Sequence, residues 1–584
     1  MQNKWQLKPI LPADFITKNP EDNKIILQLL FNRGLTNKND IELFFNPVEA
    51  NLADPFLFKD MRAAVEMTIK HIKEGNLIII YGDYDADGVT ASATLVEILN
   101  ILHAKTGVYI PARISEGYGL NKKAIDSLAK DGAKLIITVD NGIRNKEEAA
   151  YAKNLGLDII ITDHHEPPPD KNDWPDSLII NPKADNGYPY RFLAGVGVAF
   201  KFAKALIESA KLADDLKLRL EERILDLVAI GTVADMVSLV GENRILVKRG
   251  LMAINERPRL GVSELIKVAK INAYGDKEIK SWQIGWQLAP RLNSAGRMDH
   301  ANTAYELLIT KDIAEAREIA EKLNEKNQAR QKITEEIFAA AKKMVEEKML
   351  NDKILVVVSP EPNPSADSGL ADKENIAWPE GVMGLVAGRL CEAYSRPALV
   401  ITKINKEIKG SGRSIDEFNI IQTIEKLSEY LHKFGGHAAA CGFSLKSWED
   451  LEQFSEKIKI MAAEKLAGLE LAPKIIVEAE INPAEINDEL VSALEKFEPY
   501  GEENEKPKFL SRNLTIMDKV NMGADAQHVK FRFGNLWAVG FCQAESCKDF
   551  KIGDRLDAVY YLEFNDFNGR KSVQMKIVDI KAHG

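Results

Sequence analysis

The chain has little cysteine, no apolar run of membrane-spanning length and no excess of basic charge. Its four cysteines are Cys391, Cys441, Cys542 and Cys547. No two have zinc-finger spacing, so they read as free thiols of a reducing compartment. A membrane helix needs about 20 consecutive apolar residues, and no stretch approaches that. The opening MQNKWQLKPILPADF lacks a charged segment followed by an apolar one, so no signal peptide is read. A cytoplasmic protein with no membrane partner is expected. Lys and Arg number 77 against 87 Asp and Glu, a net charge of -10. That argues against bulk, nonspecific nucleic-acid binding and leaves room for a local basic channel.

What is present is a series of short apolar runs, each followed by a metal-binding type of side chain. Asp85 and Asp87 lie in YGDYDADGVTA, Asp140 in LIITVDNGI, His164 and His165 in IIITDHHE, and Asp235 in LVAIGTVADMV. Continuous β-branched runs read as strands buried on both faces of a parallel sheet. The functional crevice of such a sheet lies at the carboxyl ends of its strands. Four carboxylates and two imidazoles converging there strand charge unless a cation sits among them. The Asp/His mixture suits Mn²⁺ or Mg²⁺, and two ions are expected. Asp163 is placed to orient a ligand from behind.

At 584 residues the chain exceeds one core, and roughly three or four domains are expected. Residues 1–70 read as a polar helical extension. Strands are expected at Leu77–Tyr81, Val108–Ile110, Leu135–Val139, Leu157–Thr162 and Leu178–Asn181, alternating with helices in an α/β domain over 71–310. A helix is expected over Ile224–Val240, running into the Asp235 turn. Residues 311–350 lack Gly and Pro and keep helical spacing, predicting a connecting helix of about 60 Å. A second, smaller α/β unit spans 351–465. Its segment 359–375, rich in Pro, Ser, Asp and Gly, reads as a surface loop. Residues 474–584 alternate in short runs such as VKFRFG and LWAVGF, the pattern of an all-β, OB-like domain.

The motifs together carry a family resemblance. YGDYDADGVTA, VDNG, TDHHE and GTVADMV, in this order, resemble the DHH phosphoesterase family. PARISEGYGL, GVGVAFK and APRLNSAGRM are similar to its single-strand-specific exonuclease group, RecJ. GVMGLVAGRL, KGSGRSI and FGGHAAACGF resemble the DHH-associated domain of that group, and FEPYGEENEKPKF with the β-rich end its OB-fold. The resemblance implies that Asp85 holds one metal, Asp87 the other, and Asp140 bridges them. His164 and Asp235 complete the second site, and His165 lies beside the metals and acts on the phosphate. It implies that Arg113, Arg389, Ser411, Gly412 and Arg413 grip the 5′ end of a DNA strand. Arg297 lines the strand's path, Tyr118 is a stacking or wedge residue, and His437 faces the scissile phosphate across a cleft. Arginine forks suit a terminal phosphate, and an aromatic platform accepts any base. The sequence departs from the pattern at WPEGV, where Pro379 and Glu380 stand in place of Trp-His.

The implied activity is metal-dependent 5′→3′ exonuclease action on single-stranded DNA, releasing 5′-mononucleotides by two-metal hydrolysis, in recombination and repair. Single-stranded DNA is the expected partner, a single-stranded-DNA-binding protein and a helicase are candidate protein partners, and a monomer suffices. The alternatives are a DHH phosphodiesterase on short oligonucleotides or cyclic dinucleotides, and a non-catalytic single-strand-binding replication scaffold.

Overall fold

The computed structural model describes all residues except 1–2, 19–22, 114, 272–277, 299, 361–377, 405–406 and 568–569. The chain divides into two compact units. One comprises residues 1–6 and 326–475, the other 7–325 and 476–584.

In the larger unit, strands β1 (Leu77–Tyr81), β2 (Lys105–Tyr109), β3 (Ala133–Val139), β4 (Asp158–Thr162) and β5 (Leu178–Ile180) form a parallel sheet in the order β2-β1-β3-β4-β5. Both faces are covered, which is why the strands read as unbroken apolar runs. Ile78 and Ile80 face one way, onto the long helices α1 (Ala86–Ile101), α4 (Gly195–Ser209) and α5 (Asp214–Ala234). Ile79 and Tyr81 face the other way, onto the shorter helices α2 (Lys122–Lys130) and α3 (Lys146–Asn154). Strand β2 begins three residues before its expected start. It is an edge strand, and Lys105, Thr106 and Gly107 pair with β1 without an apolar signature of their own. The helix expected from Ile224 begins at Asp214 and ends at Ala234, with α6 (Gly241–Glu256) following.

Helix α7 (Ile313–Lys348) is continuous. Its first half buries Ala316, Ala320 and Leu323 in the larger unit. Its second half buries Ile337, Ala341 and Val345 in the other.

In that second unit, β6 (Leu355–Val358), β7 (Ala398–Ile404), β8 (Glu407–Arg413), β9 (Leu431–His437) and β10 (Ala440–Leu445) form a sheet in the order β9-β10-β8-β7-β6. Only β6 and β7 run parallel. Helix α8 (Glu380–Tyr394) starts at Pro379, whose extended backbone forms its N-cap. Glu380 pairs with Lys409 at 2.8 Å. Of the loop expected over 359–375, only residues 359 and 360 are described, and the rest lies outside the described residues.

The C-terminal segment forms a seven-stranded mixed sheet from Ala479–Glu480 to Arg570–Ala582. It includes a helix, α9 (Asp488–Glu495), within a stretch read as all-β. Its core is shared with the N-terminal helices: Leu27, Leu29, Leu30 and Phe44 pack with Leu490, Phe497, Phe509 and Phe531. The polar N-terminal extension thus contributes apolar faces to a domain more than 400 residues away. It also contains a short strand, Lys4–Leu7. Among the described residues no helix is long and apolar enough to cross a membrane.

Candidate metal centre

The β1 strand ends at Tyr81, and the chain turns through Gly82 and Asp83 into α1. Asp85 is the N-cap of that helix. Its side chain accepts the amides of Asp87 at 2.9 Å and Gly88 at 3.1 Å, satisfying two amides the helix cannot pair itself. Asp87 sits in the first turn. Its two oxygens accept the amides of Gly195 at 2.7 Å and Val196 at 2.8 Å, at the start of α4. A side chain at Gly195 would lie about 2.6 Å from the Asp140 side chain, so only glycine permits this approach.

Asp140 follows β3 with φ 62°, and its amide donates to Thr162 at 3.1 Å. His164 and His165 follow β4. Asp163 Oδ1 accepts both their amides, at 2.7 and 3.1 Å, and contacts His165 Nδ1 at 2.8 Å. Asp163 Oδ2 accepts the Ile143 amide. Asp235 is the C-cap of α5.

These side chains meet at the carboxyl edge of the sheet. His164 Nε2 lies 3.1 Å from Asp140 Oδ1, 3.6 Å from Asp235 Oδ2 and 4.0 Å from Asp87 Oδ2. Three groups of donor atoms lie within 4.8 Å of one another: Asp83–Asp85–Asp140, Asp87–His164–Asp235 and Asp140–His164–His165. The first adds Asp83, which lies in YGDYDADGVTA but was not among the expected ligands. Asp83, Asp87, Asp140 and His164 are buried.

The electrostatics are unfavourable without a cation. Burial, reinforced by Asp85, pushes the Asp87 carboxyl up to about 7. Burial and neighbouring carboxylates raise Asp83, Asp140 and Asp235 well above the usual range. Burial, with His165 adding to it, lowers His164 to about 3, so its imidazole is neutral. Burial acts to raise Asp163 too, but the His165 hydrogen bond, both imidazoles and the Ile143 amide outweigh it and hold it at about 2. Buried Asp83 Oδ1, Asp140 Oδ1 and His164 Nε2 have no hydrogen-bond partner. Unpartnered lone pairs directed at one another are what a divalent cation satisfies, so the donor set fits Mn²⁺ or Mg²⁺.

The other residues expected to act belong to two separate units. In the larger unit, the Arg113 guanidinium lies over the Tyr84 ring at 4.9 Å, and the Tyr118 hydroxyl reaches Asp140 and His165. Arg297 lies near the end of the helix Ala289–Met298. Asn293 on that helix accepts the Ala86 amide at 2.7 Å, bracing the Asp-rich turn. Nothing in APRLNSAGRM marks Asn293 for this role, since a contact between residues 207 positions apart has no local signature.

In the second unit, Ser411 and Arg413 lie on the less buried side of β8, with Gly412 between them turned inward. A Cβ on Gly384 of α8 would lie 3.1 Å from both the Ser411 hydroxyl and the Arg413 guanidinium. Arg413 is in register with Ala440, and Ala440 with His437, so the three stand at one end of the sheet. Arg389 pairs with Glu335 at 3.3 Å and lies over the Phe338 ring at 4.2 Å. The metal-type side chains are thus gathered in one unit and Arg389, Ser411, Gly412, Arg413 and His437 in the other.

Comparison with known proteins agrees with this geometry. Residues 77–232 match the DHH family N-terminal domain, 367–464 the DHHA1 domain and 477–579 the RecJ OB domain. The chain is 37% identical to the single-stranded-DNA-specific exonuclease RecJ of Bacillus subtilis over 97% of its own length and 69% of that protein. It is 32% identical to RecJ of Salmonella typhimurium over 97% and 98% of the two chains. The fold is similar to the crystal structure of Thermus thermophilus RecJ in complex with Mn²⁺, with a TM-score of 0.81 and 26% identity, covering 100% of this chain and 80% of that one. A Mg²⁺ complex from the same organism gives a TM-score of 0.76 at 25% identity, covering 100% and 79%. With buried metal-type ligands at the sheet edge and all three domain types in order, the chain belongs to the RecJ family of single-stranded-DNA-specific exonucleases, within the DHH phosphoesterases.

Proposed function

We propose that this chain is a metal-dependent hydrolase that degrades single-stranded DNA from its 5′ end and releases 5′-mononucleotides. The carrying observation is the buried set of unpartnered donors, Asp83 Oδ1, Asp140 Oδ1 and His164 Nε2, at the carboxyl edge of a parallel sheet. Asp85, with Asp83 and Asp140 beside it, would hold one ion, and Asp87, His164 and Asp235 would hold the other, with Asp140 within reach of both donor sets. When bound, two Mn²⁺ or Mg²⁺ ions supply Lewis acidity at phosphorus and lower the pKa of the attacking water.

The chain's own residues do the rest. Asp163 fixes His165 through Nδ1, so that Nε2 is the ring nitrogen able to take or hold a proton. Arg113 and, in the domain over 351–465, Arg389, Ser411, Gly412 and Arg413 bind the 5′-terminal phosphate. Arginine suits that task because its planar fork matches phosphate oxygens. Arg297 lines the strand's path, Tyr118 is a stacking or wedge residue, and His437 faces the scissile phosphate. The OB-like domain over 474–584 holds the downstream strand. The protein acts as a monomer in the cytoplasm, in recombination and repair, alongside a helicase and a single-stranded-DNA-binding protein.

The test is a long strand with a 5′ phosphate, an internal label and a blocked 3′ end, incubated with Mn²⁺ beside its duplex form. Asp140→Asn is the control, because asparagine tolerates the φ of 62° at this position. Stepwise release of mononucleotides from the single strand alone, lost in the variant, is expected. Binding without release, or cleavage confined to dinucleotides, would overturn the reading.

A further inference from the structure

Tyr118 occupies an unusual position for a residue whose ring alone would be needed to stack on a base. Its hydroxyl donates to the Asp140 carbonyl oxygen at 3.1 Å and lies 3.1 Å from His165 Nδ1. The two rings meet edge to face, with centroids 5.4 Å apart at 62°. His165 Nδ1 also faces Asp163 Oδ1 at 2.8 Å. The Nδ1 hydrogen therefore has two acceptors, a carboxylate and a phenol oxygen, and the phenol's own proton is committed to the Asp140 backbone.

The segment carrying Tyr118 is braced from behind. Gly119 has φ 84°, and a side chain there would meet Asn145 Oδ1 at 2.6 Å. The Tyr81 hydroxyl donates to the Gly119 carbonyl at 3.2 Å, and the Leu120 amide to Asn145 Oδ1 at 3.2 Å. Yet 44% of Tyr118 is exposed. A half-exposed phenol contributes little to core stability, and here its one hydroxyl joins two residues of the metal centre.

We propose that Tyr118 is a positioning residue for His165. Its hydroxyl ties the imidazole to the Asp140 backbone, so that a nucleobase seated on the exposed ring holds His165 and Asp140 in fixed relation. The inference rests on the nuclease reading above. It separates two functions within one side chain: the ring binds, and the hydroxyl aligns.

The full-length chain carrying Tyr118→Phe or Tyr118→Leu is compared with the wild type. Three quantities are read: the single-turnover rate with Mn²⁺ at saturating DNA, the affinity for a 5′-phosphorylated strand in EDTA by fluorescence anisotropy, and the melting temperature. Loss of an outer contact to a metal-site histidine commonly lowers activity about 10-fold or more. The Phe variant is therefore expected to lose about that much rate while its metal-free DNA affinity stays within about twofold. The Leu variant is expected to lose DNA affinity as well. A Phe variant at the wild-type rate would overturn the proposal. So would one whose rate and DNA affinity fall together, since the hydroxyl would then belong to substrate binding, or one whose melting temperature falls with its rate. No release by the wild type would instead overturn the nuclease reading, and this inference with it.

Discussion

Asp87 and Gly195 stand 108 positions apart in the chain, and the Asp87 carboxylate accepts the Gly195 amide at 2.7 Å. With the Val196 amide beside it, the carboxylate occupies the positive end of α4. Those amides act to lower its pKa, but burial and Asp85 outweigh them. The group is held in place by a helix terminus and made costly by its surroundings, which leaves the cation to recover the difference.

Asp87→Asn keeps the shape and removes the charge. In EDTA the variant is expected to melt close to the wild-type temperature, because one of several mutually repelling buried carboxylates is gone while the asparagine NH₂ group can no longer accept the second of the Gly195 and Val196 amides. A ligand at 100 times its Kd stabilises the folded state by about 2.7 kcal/mol, and wild-type melting should rise accordingly with Mn²⁺ and fall back with EDTA. The variant should lose most of that Mn²⁺ response and all nucleotide release. Calorimetric scans with Mn²⁺ and with EDTA check both halves. A full Mn²⁺ shift in the variant would remove Asp87 from the ligand set.

Arg244 is expected to be a main structural tie of the larger unit. The side chain is buried and donates to the carbonyls of Phe44, Lys496, Phe497, Glu498 and Pro499. Burial lowers its guanidinium to about 10, still well above neutrality, so it remains charged. Arg244→Met leaves those buried carbonyls without their donor, a cost on the order of 3 kcal/mol or more. Arg244→Lys should restore little, since a point charge does not match five acceptors. Limited proteolysis should detect loosening around residues 496–504 in both variants. Wild-type resistance in the Met variant would show that other contacts hold this junction.

Asp85, Asp87, Asp140, His164 and His165 were legible because parallel strands buried on both faces leave unbroken apolar runs, and the residues after each run lie at the same sheet edge. Asp235 caps a helix instead, and only its occurrence with the other motifs marked it out. Asp83 was not separated from its neighbours, because a three-fold Asp alternation does not reveal which carboxylates turn inward. The Gly195 amide under Asp87, Asn293 on the Ala86 amide and Arg244 on residues 496–499 depend on contacts between distant segments, which no local pattern records. The same holds for the N-terminal helices. Residues 1–70 read only as a polar helical extension, and nothing in the spacing of Leu27, Leu29 and Leu30 names Phe509 and Phe531 as their partners.

Stability should depend on pH through Glu49 and Glu221, which meet beside Lys204, 3.5 and 2.6 Å away. Burial, then the Glu49 contact, pushes Glu221 up to about 7. Burial acts the same way on Glu49, but Glu221, Arg249 and Lys204 outweigh it and hold its pKa below the ordinary value. The folded state therefore keeps a proton on Glu221 between about 4.5 and 7, where the unfolded chain has lost it. Stability from this group falls as pH rises through that window and is level above it. Glu49 acts oppositely, losing its contribution only as pH falls below its ordinary range. Glu221→Gln keeps the contact without the titration. The wild-type minus variant difference in melting temperature, measured in EDTA, should shrink steadily as pH rises from about 4.5 to 7. A constant difference would refute the shared proton.

Arg389 offers a test of the proposed 5′-phosphate grip that does not depend on the metal centre. Its contacts are an ion pair with Glu335, whose side chain is 72% exposed, and the Phe338 ring. Exposed pairs of this kind contribute about 0–1 kcal/mol, so a phosphate can take the place of the Glu335 carboxylate at small cost. Stacking on Phe338 keeps the guanidinium extended while the exchange occurs. Glu335→Gln is therefore expected to leave stability unchanged and affinity for a 5′-phosphorylated strand equal or higher. Arg389→Ala should weaken that affinity by about 1.5–3 kcal/mol, the range for hydrogen bonds to a charged group, and should barely affect a 5′-hydroxyl strand. Anisotropy titrations with the two strand ends, in EDTA, give the comparison directly. Equal losses on both strands would mean that Arg389 reads the backbone rather than the end, and would move the terminal-phosphate contact to Ser411 and Arg413.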